Sequence, residues 1–166
     1  MSYDFITQKK TIKNLKTMKN LEIRKCVNEL LEEIEKILPI YMQNPVDSKM
    51  NNGNVSICII DDDGNVYGKM YGENKITRRG TYKVAWIKAS QVWITKMKTG
   101  DYEKLVFNHE VDETVLGIDA PDLIGWPGGQ PIKLKDGTML SIGFSGFRGE
   151  IDLEIVIKAL TNLNYL

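Results

Sequence analysis

The stretch VSICIIDDDGNVYGKMY, residues 55–71, decides which class of fold this chain adopts. Val55 to Ile60 is mostly apolar and β-branched, which is typical of a strand, and Val66 to Tyr71 has the pattern of a second strand. The segment between them, Asp61 to Asn65, contains the glycine and aspartates that favour a turn. Together these residues predict a β-hairpin.

The consecutive aspartates of this turn raise the question of a calcium site. An EF-hand loop needs a glycine at its sixth position and a glutamate at its twelfth. When Gly64 is placed sixth, Ile59 falls at the first position and Met70 at the last, and neither side chain offers an oxygen ligand. We therefore interpret residues 61–65 as a solvated turn.

Amphipathic helices are predicted on both sides of the hairpin. From Thr17 to Leu38, glutamates and a lysine lie off a helical face whose apolar positions are Ile23, Val27, Leu30, Ile34 and Leu38. Pro39 ends this pattern, and the polar stretch 43–54 predicts a loop. Thr77 is a suitable N-cap for a second helix that runs to about Met97.

This second helix carries two stripes of mainly apolar residues. One stripe comprises Tyr82, Trp86, Ala89, Trp93 and Met97, and the other comprises Val84, Ile87, Gln91 and Ile94. Two stripes predict that both sides of the helix are covered, one of them by the sheet. The second cover is another helix of this chain, a second subunit or a flat aromatic ligand, and the residues leave these alternatives open.

The C-terminal half contains a loop, GWPGGQP at residues 125–131, that can form neither a regular helix nor a central strand. A second hairpin is predicted from Pro131 to Ser145 with its turn at Asp136 and Gly137, and a last amphipathic helix from about Gly149 to Leu163. The order helix, hairpin, helix, loop, hairpin, helix predicts an α+β fold, in which helices flank an antiparallel sheet of about five strands.

Length and composition exclude several classes of protein. A length of 166 residues predicts one domain, residues 1–166, in which the lysine-rich residues 1–16 form an extra N-terminal arm. No apolar run is long enough for a membrane span or a secretory signal, so we expect a cytoplasmic protein. Because 22 basic residues balance 22 acidic ones, we expect neither nucleic acid nor a membrane as partner.

The chain is also poor in metal ligands of the zinc type. It has two cysteines, Cys26 and Cys58, and a single histidine, His109. Structural zinc requires four Cys or His ligands in most sites, and disulfide scaffolds require more cysteines than two. We therefore expect no metal site and no disulfide framework.

The clearest candidate for ligand chemistry is the sequence GFSGFRG at residues 143–149, at the junction between a strand and a helix. Free N–H groups at a helix N-terminus favour an anion, and Ser145 and Arg148 add a donor and a charge. This arrangement suggests a carboxylate- or phosphate-binding nest. The spacing matches neither a dinucleotide-binding fingerprint nor a P-loop nor a nucleophile elbow, and glycines that only allow a tight turn explain it equally well.

Three titratable residues are candidates for a direct role. His109 lies in an acidic loop, where it is either solvated or a haem ligand or general base. Asp152 falls in the first turn of the last helix, where it can cap free N–H groups or pair with Lys88 across a cleft to orient a ligand. Lys88 itself is a snorkelling side chain or a partner for an anion or a carbonyl.

Four motifs in order resemble the GlcG/HbpS family of haem-degrading or haem-binding proteins. In chain order they are a strand that ends in Asp61 before a glycine turn, AWIKA at residues 85–89, GGQPI at 128–132, and the pair Ser145-Gly146 followed by Asp152. The resemblance covers roughly residues 20–164. It implies profilin-like or PAS-like α/β layers, assembly into dimers or larger rings, and a cleft that binds haem in some members.

The resemblance also implies which residues form the cleft. The positions that match the family pattern are Lys88, Gly128, Gly129, Pro131, Ser145, Gly146 and Asp152, and Trp126 and Arg148 lie beside them in the sequence. A haem-binding member carries a histidine on its N-terminal helix, whereas this chain has none between Thr17 and Leu38.

These observations favour a protein that binds a small organic ligand, haem or another tetrapyrrole, and forms a homo-oligomer. Two alternatives stay open. One is a metal-independent enzyme that acts on a small carbonyl or carboxylate compound, with Lys88 or His109 as the acid or base. The other is an accessory oligomeric protein without catalysis.

Overall fold

The computed structural model describes the backbone of residues 2–166 and the side chains of residues 19–166. The helices and strands are, in chain order, α1 Ser2–Tyr41, α2 Pro45–Asn51, β1 Ser56–Asp61, β2 Val66–Met70, α3 Lys75–Thr95, α4 Thr99–Phe107, β3 Gly129–Lys133, β4 Met139–Ser145 and α5 Gly149–Asn162, with a short 3-10 turn at Glu113–Leu116. The side chains of the proposed basic arm, residues 1–16, lie outside the described ones, so the arm stays a prediction.

The two predicted hairpins form one antiparallel sheet with the strand order β2-β1-β4-β3. The hairpin strands pair with each other, and β1 pairs with β4 to join them, so that Ile59 lies opposite Ile142. The α+β class is therefore confirmed. The sheet has four strands in the described chain, not about five, because the segment between α3 and the second hairpin contains a helix, α4, instead of a further strand.

Alternate side chains of the central strands face two different layers of helices. On one face Ile57, Ile59, Ile142 and Phe144 pack in the main core with α1 and α5. On the other face Cys58 and Ile60 pack against Ala85 and Ala89 of α3. The period of two along each strand produces this separation. Because both faces are covered, β1 is buried along its whole length and β4 is buried at every residue except Met139.

The first helix is longer than the sequence predicts, and the predicted loop after it contains a short helix. α1 continues through Pro39, which lies near its C-terminal end and therefore disturbs only the last turn. α2 forms within the stretch 43–54 because the Asn44 side chain accepts a hydrogen bond from the N–H of Val46, and Pro45 occupies the first helical position. This short helix becomes one wall of the cleft described below.

The residues of α3 that face the sheet have smaller side chains than the residues of the predicted stripes. α3 begins after Asn74, whose side chain caps the N–H groups of Ile76 and Thr77, so Thr77 is not the N-cap. Its buried residues are Thr81, Ala85, Lys88, Ala89, Gln91 and Val92. Trp86 and Trp93 remain partly exposed, because the backbone of α3 lies too close to the sheet for large side chains.

The close approach of α3 occurs at Gly143 in β4. A Cβ atom added at Gly143 would lie 2.1 Å from the carbonyl oxygen of Ala85 and 2.6 Å from the backbone nitrogen of Ala89. Only glycine leaves room for this contact between helix and strand backbones. The contact fixes Lys88, which lies between these two alanines along the helix, near the end of β4.

None of the helices in the described part of the chain is both long enough and apolar enough to cross a membrane.

Candidate functional site

A cleft of about 600 Å³ opens between α2, α3 and the junction of β4 with α5. Most of its lining surface is apolar, and the apolar side chains are those of Met50, Ile76, Val84, Trp126, Pro127 and Phe147. Its polar lining comes from Asn51, Thr77, Thr81, Lys88, Ser145, Arg148 and Asp152. An apolar pocket of this size with a few convergent polar groups is typical of a small-molecule site.

Lys88 lies at the base of the cleft with its ammonium group almost completely buried. Its Nζ atom donates hydrogen bonds to the carbonyl oxygens of Pro127 at 2.7 Å and Phe144 at 2.8 Å, and to Asp152 Oδ2 at 3.1 Å. An ammonium group has three N–H donors, so all three are used. Lys88 therefore holds the Trp126–Pro127 loop, the end of β4 and the start of α5 together.

Asp152 combines the two roles that the sequence suggested for it. Its Oδ1 accepts a hydrogen bond from the N–H of Phe147 at 3.0 Å, which caps the chain entering α5, while Oδ2 pairs with Lys88. Burial raises the pKa of Asp152 to about 7, although Lys88 and the Phe147 N–H act in the opposite direction. Burial also lowers the pKa of Lys88, because both charges have lost their water.

Arg148 forms the second ion pair of the cleft, with Asp47 of α2. Its Nε and Nη2 atoms donate to the two carboxylate oxygens of Asp47 at 2.7 and 2.9 Å. Asp47 is buried, while the Arg148 side chain is about half exposed. These charge-assisted hydrogen bonds lower the pKa of Asp47. The guanidinium that the sequence assigned to a nest for a ligand anion is thus engaged by a carboxylate of the protein itself.

Ser145 and Gly146 lie where the sequence placed them, on the cleft wall. The Ser145 side chain is buried, and no described residue forms a hydrogen bond with its hydroxyl group. Gly146 has a φ of 139°, which favours glycine, and its carbonyl oxygen accepts a hydrogen bond from Asn51 of α2. The junction between β4 and α5 is therefore tied to α2 at two points.

The motif Gly128-Gly129 and Pro131 contribute to the cleft only indirectly. A Cβ atom at Gly128 would lie 2.5 Å from Lys88 Nζ, and one at Gly129 would lie 2.4 Å from Thr99. Both glycines allow the loop to pack on α3 and α4 without lining the cleft. Pro131 pairs with Ser141 on the edge strand β3, where its missing N–H is tolerated. Trp126, by contrast, lines the cleft and is 67% exposed.

The structure does not bring His109 to the cleft. His109 follows α4, is exposed, and lines a different depression together with Val106, Phe107 and Val111. Of the two acid–base candidates, Lys88 has all three donors occupied within the protein, and His109 faces another depression. Among the described side chains there is no group of three or more His, Cys, Asp or Glu that could hold a metal ion.

Residues from α2 and the start of α3 complete the cleft, and the sequence did not single them out. Met50 and Asn51 come from a segment predicted to be a loop, and Ile76 and Gly80 lie in the first turns of α3. Asp47 of the same segment does not line the cleft but pairs with Arg148, which does. The only sequence signal was the Asn44-Pro45 pair, which marks a helix start. That signal predicts α2 but not its contact with Arg148, 101 residues away.

Comparisons with known proteins agree with this architecture. Klebsiella pneumoniae protein ORFY has a similar structure, with a TM-score of 0.60, 17% identity, and coverage of 86% of this chain and 90% of that chain. The structure of PduOC in complex with haem is similar with a TM-score of 0.57, 18% identity, and coverage of 84% and 93%. At these identities the likeness shows the fold alone. No curated protein matches the chain.

A family model settles the relationship that the motifs suggested. The model for the haem degrading protein HbpS-like family matches residues 43–161, which include every residue that lines the cleft. The resemblance drawn from the four motifs is thereby confirmed. Because the match covers most of the chain, this protein belongs to the family of HbpS-like haem degrading proteins.

Proposed function

We propose that the protein binds haem or another tetrapyrrole in the cleft between α2, α3 and the start of α5. The observation that carries this proposal is the cleft itself, about 600 Å³ with mainly apolar walls and with the large, exposed Trp126 at its side. Family membership and the fold shared with PduOC, which was solved as a haem complex, support the same ligand class.

The residues present fit the ring of a tetrapyrrole better than its metal. Ile76, Val84 and Phe147 provide apolar contacts, and Trp126 offers a face for stacking. The single histidine of the chain lies outside the cleft, and Met50 is the only sulfur-bearing side chain in the lining. We therefore propose that burial of the ring supplies most of the affinity, without histidine ligation; a bound haem would supply redox chemistry.

A titration with haem, followed by its visible absorption, tests the proposal. We expect a saturable shift of the Soret band, and Trp126→Ala should weaken binding about tenfold because a stacked aromatic ring is lost. The matched control is Phe107→Ala, since Phe107 is 66% exposed at the end of α4 but does not line the cleft. Failure of the wild-type protein to saturate at micromolar haem would contradict the proposal.

One further ligand and one variant separate ring burial from metal ligation in the same titration. Metal-free protoporphyrin IX should bind within about threefold of haem, because no metal–protein bond is lost. His109→Ala should leave the haem spectrum unchanged. A large loss of affinity without the metal, or a changed spectrum in His109→Ala, would show that a side chain ligates the iron.

We also propose that the protein forms a homo-oligomer through the outer side of α3, where Trp86, Trp93 and Ile94 are exposed. Introducing a charge there should favour the monomer, so Ile94→Glu is expected to weaken self-association at least tenfold in analytical ultracentrifugation. Ile157→Glu is the control, because Ile157 is similarly exposed but lies on α5. A wild-type protein that sediments as a monomer at about 100 μM would disprove this assembly.

A further inference from the structure

We propose that the inner wall of the cleft, at the junction of β4 and α5, recognises an uncharged hydrogen-bond acceptor such as a carbonyl or amide oxygen. A carboxylate or phosphate is not the preferred group there. The inference deepens the proposed function, and it rests on that function only in placing the ligand in this cleft. It differs from the anion-binding nest that the sequence of residues 143–149 suggested.

Both positive charges of the cleft already have carboxylate partners. Lys88 pairs with Asp152, and its two other N–H groups bind backbone carbonyls. Arg148 pairs through two atoms with the buried Asp47. A ligand anion would have to displace the buried Asp152 to reach Lys88, and this would leave that carboxylate buried without a partner, which is costly. At Arg148 an anion would meet a guanidinium whose charge is already balanced by Asp47, although N–H donors beyond the two bonded ones remain.

An uncharged hydrogen-bond donor remains available at the same wall. The Ser145 side chain is only 9% exposed and lines the cleft, and no residue among the described side chains bonds its hydroxyl. Beside it, Gly149 opens α5, a helix of 14 residues, and the N-cap residue Arg148 makes no side-chain capping bond. The N–H groups of a first helical turn have no partner within the helix.

The positive and negative side chains at this wall balance each other. Lys88 and Arg148 are matched by Asp152 and Asp47, so the cations and carboxylates cancel. The helix dipole and the hydroxyl of Ser145 still attract an acceptor atom, but no unpaired cation offsets the cost of removing a full negative charge from water. An oxygen that carries only a partial charge satisfies the donors at a smaller desolvation cost. The carboxylates of a tetrapyrrole would accordingly lie toward the solvent at the mouth of the cleft.

A pair of ligands with the same shape but different charge tests this inference independently of haem. We expect 2-naphthamide to bind at least about fivefold more tightly than 2-naphthoate, as measured by NMR titration of the full-length protein. The amide signals of residues 145–149 should shift with 2-naphthamide. Binding of 2-naphthoate as tightly as 2-naphthamide would overturn the inference, and so would the absence of shifts at residues 145–149 with both ligands at millimolar concentration.

Removal of one hydroxyl group supplies the second measurement. Ser145→Ala should weaken binding of 2-naphthamide about fivefold, because a hydrogen bond from a buried donor is lost. Ser141→Ala is the matched control, since Ser141 is buried on the same face of β4 but does not line the cleft. An unchanged affinity in Ser145→Ala would overturn the assignment of the donor. A haem titration that fails while these results hold would reject only the tetrapyrrole as ligand.

Discussion

Replacement of Lys88 by methionine should lower the free energy of unfolding by about 3–5 kcal/mol at neutral to slightly alkaline pH. Methionine has a similar length, so the loss comes from the charge and its hydrogen bonds more than from volume. Asp152 would be left as a buried carboxylate without its ion-pair partner, and the carbonyls of Pro127 and Phe144 would lose their donor. Chemical denaturation measures the change.

The matched control for this variant lies on the same helix. Lys83→Met removes an exposed lysine of α3 and should change the free energy of unfolding by no more than about 0.5 kcal/mol. The double variant Lys88→Met/Asp152→Asn should be more stable than Lys88→Met alone, because the asparagine has no charge to leave unpaired and keeps an acceptor for Phe147. Additive effects of the two substitutions would show that the pair is not coupled.

The effect of Lys88→Met should depend on pH in a defined direction. The pKa of Asp152 in the folded protein, about 7, lies above its ordinary value of 3.8, so folding favours the protonated carboxyl group. The stability that this group contributes is full below about pH 4 and is lost as the pH rises through 7. Lys88→Met should therefore be more damaging at about pH 8 than at about pH 5. The reverse order would contradict a buried, proton-accepting Asp152.

Replacement of Gly143 by alanine should destabilise the fold by about 3 kcal/mol or more. The added methyl group would lie 2.1 Å from the carbonyl oxygen of Ala85, and this oxygen belongs to a helix backbone that cannot rotate away. α3 would have to move off β4, and the movement would also withdraw Lys88 from Phe144 and Asp152. Thermal or urea unfolding measures the loss.

The same substitution at Gly80 is the control, because a Cβ atom at this position of α3 would have no described atom within 4 Å outside its chain neighbours and the nearby backbone of its own helix. Gly80→Ala should raise the free energy of unfolding by up to about 1 kcal/mol, since alanine favours a helix more than glycine does. Equal stability of Gly143→Ala and the wild-type protein would mean that α3 and β4 are not in direct backbone contact.

The secondary structure of the strands and of the last helix could be predicted because their signals are local. The alternation and turn residues of 55–71 specify a hairpin wherever the segment lies in the fold, and Asp136-Gly137 does the same for the second hairpin. The stripes of α3 were misleading, however. Trp86 and Trp93 look like core residues by their type, but both remain partly exposed, and the small residues Ala85 and Ala89 pack against the sheet instead.

The candidate site could be predicted only in part. The sequence motifs pointed to Lys88, Ser145, Arg148 and Asp152, and the structure places all of them on one cleft. They did not reveal Asp47, because a partner for Arg148 across 101 residues leaves no trace in local spacing. For the same reason, residues 143–149 alone do not reveal that carboxylates balance the cations of the cleft wall. The inferred preference for an uncharged ligand group depends on this balance.

The sequence by itself determined the class of fold, the two hairpins and the motifs of the HbpS-like family, since hydrophobic period, turn chemistry and short-range spacing are properties of neighbouring residues. Only the tertiary structure decided which charges are free. Lys88 and Arg148 are cations in any conformation, but their charges are balanced because folding brings Asp152 and Asp47 to them. That pairing depends on distant segments meeting, and it leaves the hydroxyl of Ser145 as an available uncharged donor on the cleft wall.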